Sequence, residues 1–150
     1  MVTYTLHRET WVARPLAEVF DFFSRPQNLE RLTPQWLQFR IRTPAPISIA
    51  PGAEIEYSIR VHGVPVHWKT VIESWHPPYE FVDVQAKGPY KLWRHTHRFA
   101  AKDGGTTVTD DVEYALPFGI LGRIVNRLQV SRDLARIFDY RTEQVRELLG

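Results

Sequence analysis

The chain has 150 residues, 43% of them hydrophobic and 24% charged, which is the length and composition of one folded domain with a sizeable core and excludes a disordered segment. Its net charge is only +2, with basic residues scattered among acidic ones, so there is no stripe for nucleic acid. Cysteine is absent, which excludes disulfides, thiolate metal sites and a cysteine nucleophile.

In chain order, "YTLHRETWVA" reads as a first strand. "RPLAEVFDFF" follows as a helix opened by Pro15, with Leu16, Val19, Phe20 and Phe23 on one face. Ser24 is placed to cap a second short helix through "PQNLERL", which stops before Pro34. "WLQFRIRT" resumes strand character. A proline-rich loop, Pro44 to Pro51, leads to "AEIEYSIRV", where Ile55, Tyr57, Ile59 and Val61 alternate with other residues. His62-Gly63 turns this strand into "VPVHWKTVIESW". "YEFVDVQAK", "KLWRHTHRF" and "TTVTDDVEYAL" complete about six consecutive strands. From about Phe118 to Leu149 the spacing predicts one long helix, with Leu121, Ile124, Leu128, Ala135, Phe138, Val145 and Leu148 or Leu149 as its apolar stripe and arginines on much of the other side.

Consecutive strands joined by tight turns favour an antiparallel sheet, and a long helix without a helical partner must bury its stripe against that sheet. The predicted class is therefore α+β: one domain over 1–150, with a curved antiparallel sheet around a long C-terminal helix, two short helices after the first strand, and a cavity between sheet and helix. No apolar run reaches the length of a membrane span, and "MVTYTLHRET" has no signal-peptide apolar region. The expectation is a cytoplasmic protein with no membrane insertion.

Asp103-Gly104 is a preferred two-residue hairpin turn, because both positions tolerate positive φ. It pairs Arg94 with Glu113 and Thr96 with Asp111 on the outer face. On the inner face it pairs Phe99 with Val108, His97 with Asp110, His95 with Val112, and Trp93 with Tyr114. Asp110 is thus a carboxylate on a mostly apolar face, across from a histidine. The preceding hairpin has two registers. A strict two-residue turn at Gly88-Pro89 puts Val82 and Val84 inward and Asp83 beside Arg94; one extra residue turns Phe81, Asp83 and Gln85 inward and brings Asp83 to His95.

The pattern Phe81-x-Asp83-x-Gln85, Gly88-Pro89, Trp93-x-His95-x-His97-x-Phe99, Asp110-x-Val112-x-Tyr114 and Pro117-x-Gly119, with "RPLAEVFDFFSRPQNLERLTPQW" before it and "RIFDYRTEQ" after it, resembles the START-like, or SRPBCC, superfamily of helix-grip proteins. The similarity is to its bacterial cell-division-inhibitor-like or cyclase/dehydrase-like branch and spans essentially the whole chain. It favours the register with Asp83 inward. It implies no metal and no cofactor. Some members are fused to a sugar-nucleotide-epimerase-like dehydrogenase domain, so the resemblance also implies, by family analogy, a dehydrogenase-like partner.

Four readings of the two histidines follow. As metal ligands, His95 and His97 need a third donor, whose position depends on the register. As acid–base groups, His95 or His97 with Asp110 would serve a cofactor-independent cyclase or dehydratase, as in some superfamily relatives; no seryl nucleophile constellation or phosphate loop accompanies them. As parts of a pocket, they would orient a small, partly hydrophobic or aromatic ligand together with Tyr57, Trp68, Asp83, Gln85, Trp93, Phe99, Asp110, Tyr114 and Phe138. As a satisfied polar network, His97 and Asp110 would pair to fix strand register. The favoured reading is ligand binding, with catalysis and a ligand-free interaction role as alternatives.

Overall fold

The computed structural model describes residues 1–44 and 47–150; Ala45 and Pro46, part of the proline-rich loop Pro44 to Pro51, lie outside the described residues. Among the described residues, seven strands form one curved antiparallel sheet in the order β1-β7-β6-β5-β4-β3-β2. They are β1 (Tyr4–Val12), β2 (Arg40–Ile41), β3 (Glu54–Val61), β4 (Val64–His76), β5 (Glu80–Lys87), β6 (Leu92–Lys102) and β7 (Gly105–Ala115). The first and last strands are neighbours, with Leu6 opposite Val112.

Helices α1 (Leu16–Phe23) and α2 (Asn28–Leu32) follow β1. Val19, Phe20 and Phe23 of α1 are buried together with Phe81, Phe99 and Val145, so the predicted apolar face meets both sheet and C-terminal helix. Two expectations are corrected here. Ser24 does not cap α2; it ends α1, its hydroxyl donating to the Asp21 carbonyl at 2.9 Å. "WLQFRIRT" forms a 3₁₀ turn, Gln35–Leu37, and only the two-residue strand β2, because Gln38 takes a left-handed φ of 47° that ends regular extension.

The C-terminal helix is continuous but not uniform. It comprises α3 (Gly119–Val125), a wide π turn (Asn126–Val130) and α4 (Ser131–Leu149). The π turn delays the helical phase. The inward positions are Gly122 before it, Asn126 at its first residue, and Leu134, Phe138, Arg141, Val145 and Leu149 after it. The predicted stripe therefore fails at its N-terminal end, where Leu121, Ile124 and Leu128 are exposed.

Candidate functional site

The β6–β7 hairpin has the predicted register, with Trp93 opposite Tyr114 and His97 opposite Asp110. Asp103 and Gly104 adopt φ of 50° and 77°, the positive values that the turn requires. The β5–β6 pair takes the longer-turn register, with Asp83 opposite His95. Gln85 explains the choice. Its side chain folds back on the turn, with Nε2 donating to the Tyr90 carbonyl at 2.8 Å and Oε1 accepting from the Tyr90 N–H at 3.0 Å. The extra residue is thereby tied down and Asp83 points inward.

Four strand residues and one helix residue form a buried polar cluster. Its hydrogen bonds run diagonally rather than straight across. Asp83 Oδ2 accepts from His97 Nε2 at 2.6 Å, and Asp110 Oδ1 accepts from His95 Nε2 at 2.8 Å. The expected His97–Asp110 pair is thus corrected: those residues face each other in the ladder, but their nearest approach is 3.6 Å. The imidazoles stack on each other at 3.6 Å between centroids, and His97 stacks on Phe81 at 4.1 Å.

Arg141 of α4 closes the cluster. One guanidinium nitrogen, Nη2, stands 3.5 Å from both Asp110 Oδ1 and His97 Nδ1. The guanidinium also lies 5.3 Å over the Phe23 ring, and among the described residues its buried Nε has no hydrogen-bond partner. Arg141 is absent from the sequence-based candidates, yet the signal was present. Leu134, Phe138, Arg141, Val145 and Leu149 recur at helical spacing, which places this arginine on the apolar stripe.

Burial and neighbouring charge set the protonation states. Burial raises the Asp110 carboxyl, but the Arg141 charge and the His95 hydrogen bond outweigh it and hold the group well below the usual carboxylate range. Burial likewise raises Asp83, and the His97 hydrogen bond with the surrounding positive groups lowers it. Burial lowers His97 to about 4, helped by His95 and Arg141 and only partly opposed by Asp83. At neutral pH His97 is therefore a neutral imidazole that donates through Nε2 and turns its Nδ1 lone pair toward Arg141.

The cluster lies at one end of a cavity of about 480 Å³ between the sheet and α4. Tyr57, Trp68 and Trp93 line it from the strands, Leu134 and Phe138 from α4, and Trp36 and Leu37 from the 3₁₀ turn; Asp83, His95, His97 and Arg141 are its polar groups. Tyr57 and Trp68 stack at 5.9 Å, and Trp93 stands perpendicular to Trp68. The Trp68 indole donates to Thr70 at 3.0 Å. Four sequence candidates lie off the cavity surface. Gln85 is committed to its turn, Phe99 packs in the core with Phe20 and Phe23, Asp110 sits behind His95, and Tyr114 donates to Asn126 of the π turn at 2.8 Å.

Asp83, His95 and His97 offer donor atoms within 4.8 Å of one another. Both Nε2 atoms are already engaged with carboxylates, and the Arg141 guanidinium flanks the group. A second cation there would meet that fixed positive charge.

A sequence-family model for "Polyketide cyclase / dehydrase and lipid transport" matches residues 12–137. The chain belongs to this family. No curated protein matches it significantly in sequence. Among solved structures, this family member is similar to protein Ms6760 from Mycobacterium smegmatis, at 18% identity and TM-score 0.70 over 97% of this chain and 90% of that one. It is also similar to the major latex-like protein 151 of Panax ginseng, at 13% identity and TM-score 0.72 over 100% and 99%. The nucleoside-diphosphate sugar epimerase from Corynebacterium glutamicum is similar at 24% identity and TM-score 0.66, the match covering 95% of this chain but only 28% of that one. These likenesses establish the START-like helix-grip fold.

Proposed function

We propose that the protein binds a small, partly hydrophobic molecule in the cavity between sheet and α4, with an oxygen-bearing end of the ligand on Arg141. The observation that carries this reading is a cavity of about 480 Å³ walled mainly by aliphatic and aromatic side chains, with Asp83, His95, His97 and Arg141 as its polar groups. A few charged and polar groups on an otherwise apolar wall are what orient a partly hydrophobic ligand, and the Arg141 guanidinium is the cation among them. The family description includes lipid transport, which agrees with a non-catalytic binding role.

The test uses the aromatic sulfonate ANS as probe, together with native mass spectrometry of freshly purified protein to identify co-purifying molecules. Wild type is expected to bind ANS saturably at one site. Val66→Trp, which projects into the cavity, should abolish binding. Arg141→Met should weaken it by about ten- to a hundredfold, the loss of one charge-assisted hydrogen bond. No saturable binding by wild type, or binding that survives Val66→Trp, would sink the proposal.

A second reading is favoured by His95, which lines the cavity and is hydrogen-bonded from behind by the Asp110 carboxylate. A histidine held by a carboxylate is the arrangement that general acid–base chemistry uses, and a cyclase or dehydratase would need it. Turnover of a bound compound that disappears in Asp110→Asn while binding persists would support catalysis over binding alone.

A further inference from the structure

The segment Phe118 to Leu128 is built inside out. In a surface helix of a globular protein, large apolar side chains face the core. Here the buried positions are Gly122 and Asn126, and the large apolar residues face solvent. Phe118 is 80% exposed, Ile120 72%, Leu121 62%, Ile124 50% and Leu128 65%. Packing the helix this way is imposed by close approach. The Gly122 Cα lies against the Pro117 carbonyl, where any Cβ would collide, and Asn126 is tied to the Tyr114 hydroxyl. With about 100° per residue, Ile120, Leu121, Ile124, Val125 and Leu128 fall within one arc of about 140°. Arg123 and Arg127 lie on one flank of that arc, both exposed.

The charge pattern identifies what covers this face. Between Leu116 and Arg132 there are three arginines and no acidic residue. Lys91 shares a surface recess with Arg123 and Gly119, which adds a fourth cation beside the patch. A second copy of this chain would bring the same positive flank and repel it. An anionic lipid surface accepts both the apolar side chains and the cations. The patch also adjoins the cavity, since Leu116 and Val130 at its two ends line it.

We propose that Phe118–Leu128 is a peripheral docking element for anionic lipid bilayers, with Ile120, Leu121, Ile124 and Leu128 entering the headgroup region and Arg123, Arg127 and Lys91 contacting lipid phosphates. This goes beyond the ligand-binding reading and does not depend on what the cavity holds.

Flotation of the full chain with vesicles tests it. Wild type should bind vesicles of phosphatidylcholine containing phosphatidylglycerol, should bind pure phosphatidylcholine far more weakly, and should be released by high salt. Arg123→Gln with Arg127→Gln should lower the partition coefficient on the order of thirtyfold. Leu121→Glu with Ile124→Glu should abolish binding without lowering the melting temperature, because both side chains are already exposed. The proposal is overturned by three outcomes: no binding to anionic vesicles, binding that both double variants retain, or a wild-type dimer in sedimentation that Leu121→Glu with Ile124→Glu converts to monomer.

Discussion

Arg141 helps to set the state of His97. The imidazole is neutral in the fold, with its proton affinity lowered by burial, by His95 and by Arg141 from an ordinary value of 6.5 to about 4. The unfolded chain takes up a proton at this residue as pH falls below 6.5, while the folded chain resists doing so until about 4. Stability is therefore full above pH 6.5 and is lost through that window, by about 3 kcal/mol in total from this residue. Asp83 and Asp110 are both lowered from 3.8, so their contribution persists through the window and is lost only in stronger acid. Urea unfolding between pH 7.5 and 4.5 should show this acid-side slope in wild type and a flatter one in His97→Gln; equal slopes would place its origin elsewhere. Removing the cation has a different signature. Arg141→Met leaves the Asp110 carboxylate buried without its counter-charge, which should cost on the order of 3 kcal/mol at pH 7, readable as a lower urea midpoint. Because Arg141 is one of the groups that depress His97, the acid-side loss from His97 should also be smaller in that variant and end at a higher pH.

The β5–β6 hairpin shows how a turn decides which side chains reach the site. If the register slipped by one residue, Asp83 would leave the cavity and Val82 and Val84 would replace it. The two hydrogen bonds from Gln85 to Tyr90 hold the longer turn, so Gln85→Ala should lower stability by about 2 kcal/mol, measured by urea denaturation. The same hairpin marks the limit of what the sequence discloses. The β6–β7 register was legible because Asp103-Gly104 admits one turn geometry and so fixes every pair from Trp93 to Val108. Gly88-Pro89 admits two, and the choice lies in a side chain that folds back on the backbone, which alternation does not encode; only the family pattern pointed to the correct one. The helix was legible as an element but not in its phase, because the π turn at Asn126–Val130 rotates the inward face. Reading a single stripe through it joined the exposed Leu121, Ile124 and Leu128 to the buried Phe138 and Val145, and left Arg141 among the solvent-facing arginines. In the cluster itself, alternation brought His95, His97 and Asp110 to one face, but the diagonal pairing depends on side-chain reach across strands.

At the scale of the whole molecule, the sheet and α4 could have closed on each other and did not. Apolar burial is concentrated in two groups, one where α1 meets Phe81, Phe99 and Val145, the other where Tyr114 meets Leu134 and Phe138. The cavity of about 480 Å³ continues away from them along β3 and β4. Ile59 and Val66 are opposite one another in that ladder and both line the cavity, far enough along the strands to leave the polar cluster untouched. A side chain facing an unfilled interior forgoes dispersion contacts, so larger residues at these positions should recover them. Stability surrendered for a functional cavity is regained when the cavity is filled, at the expense of binding. Ile59→Phe and Val66→Phe are accordingly expected to raise the melting temperature by about 2–4 °C each, while reducing ANS binding. If the cavity were instead a packing fault without function, the same variants would gain stability with no loss of any bound molecule in native mass spectrometry. Lower melting temperatures for both would mean that the space is closed by motions of the strands in solution, and would remove the cavity as a binding site.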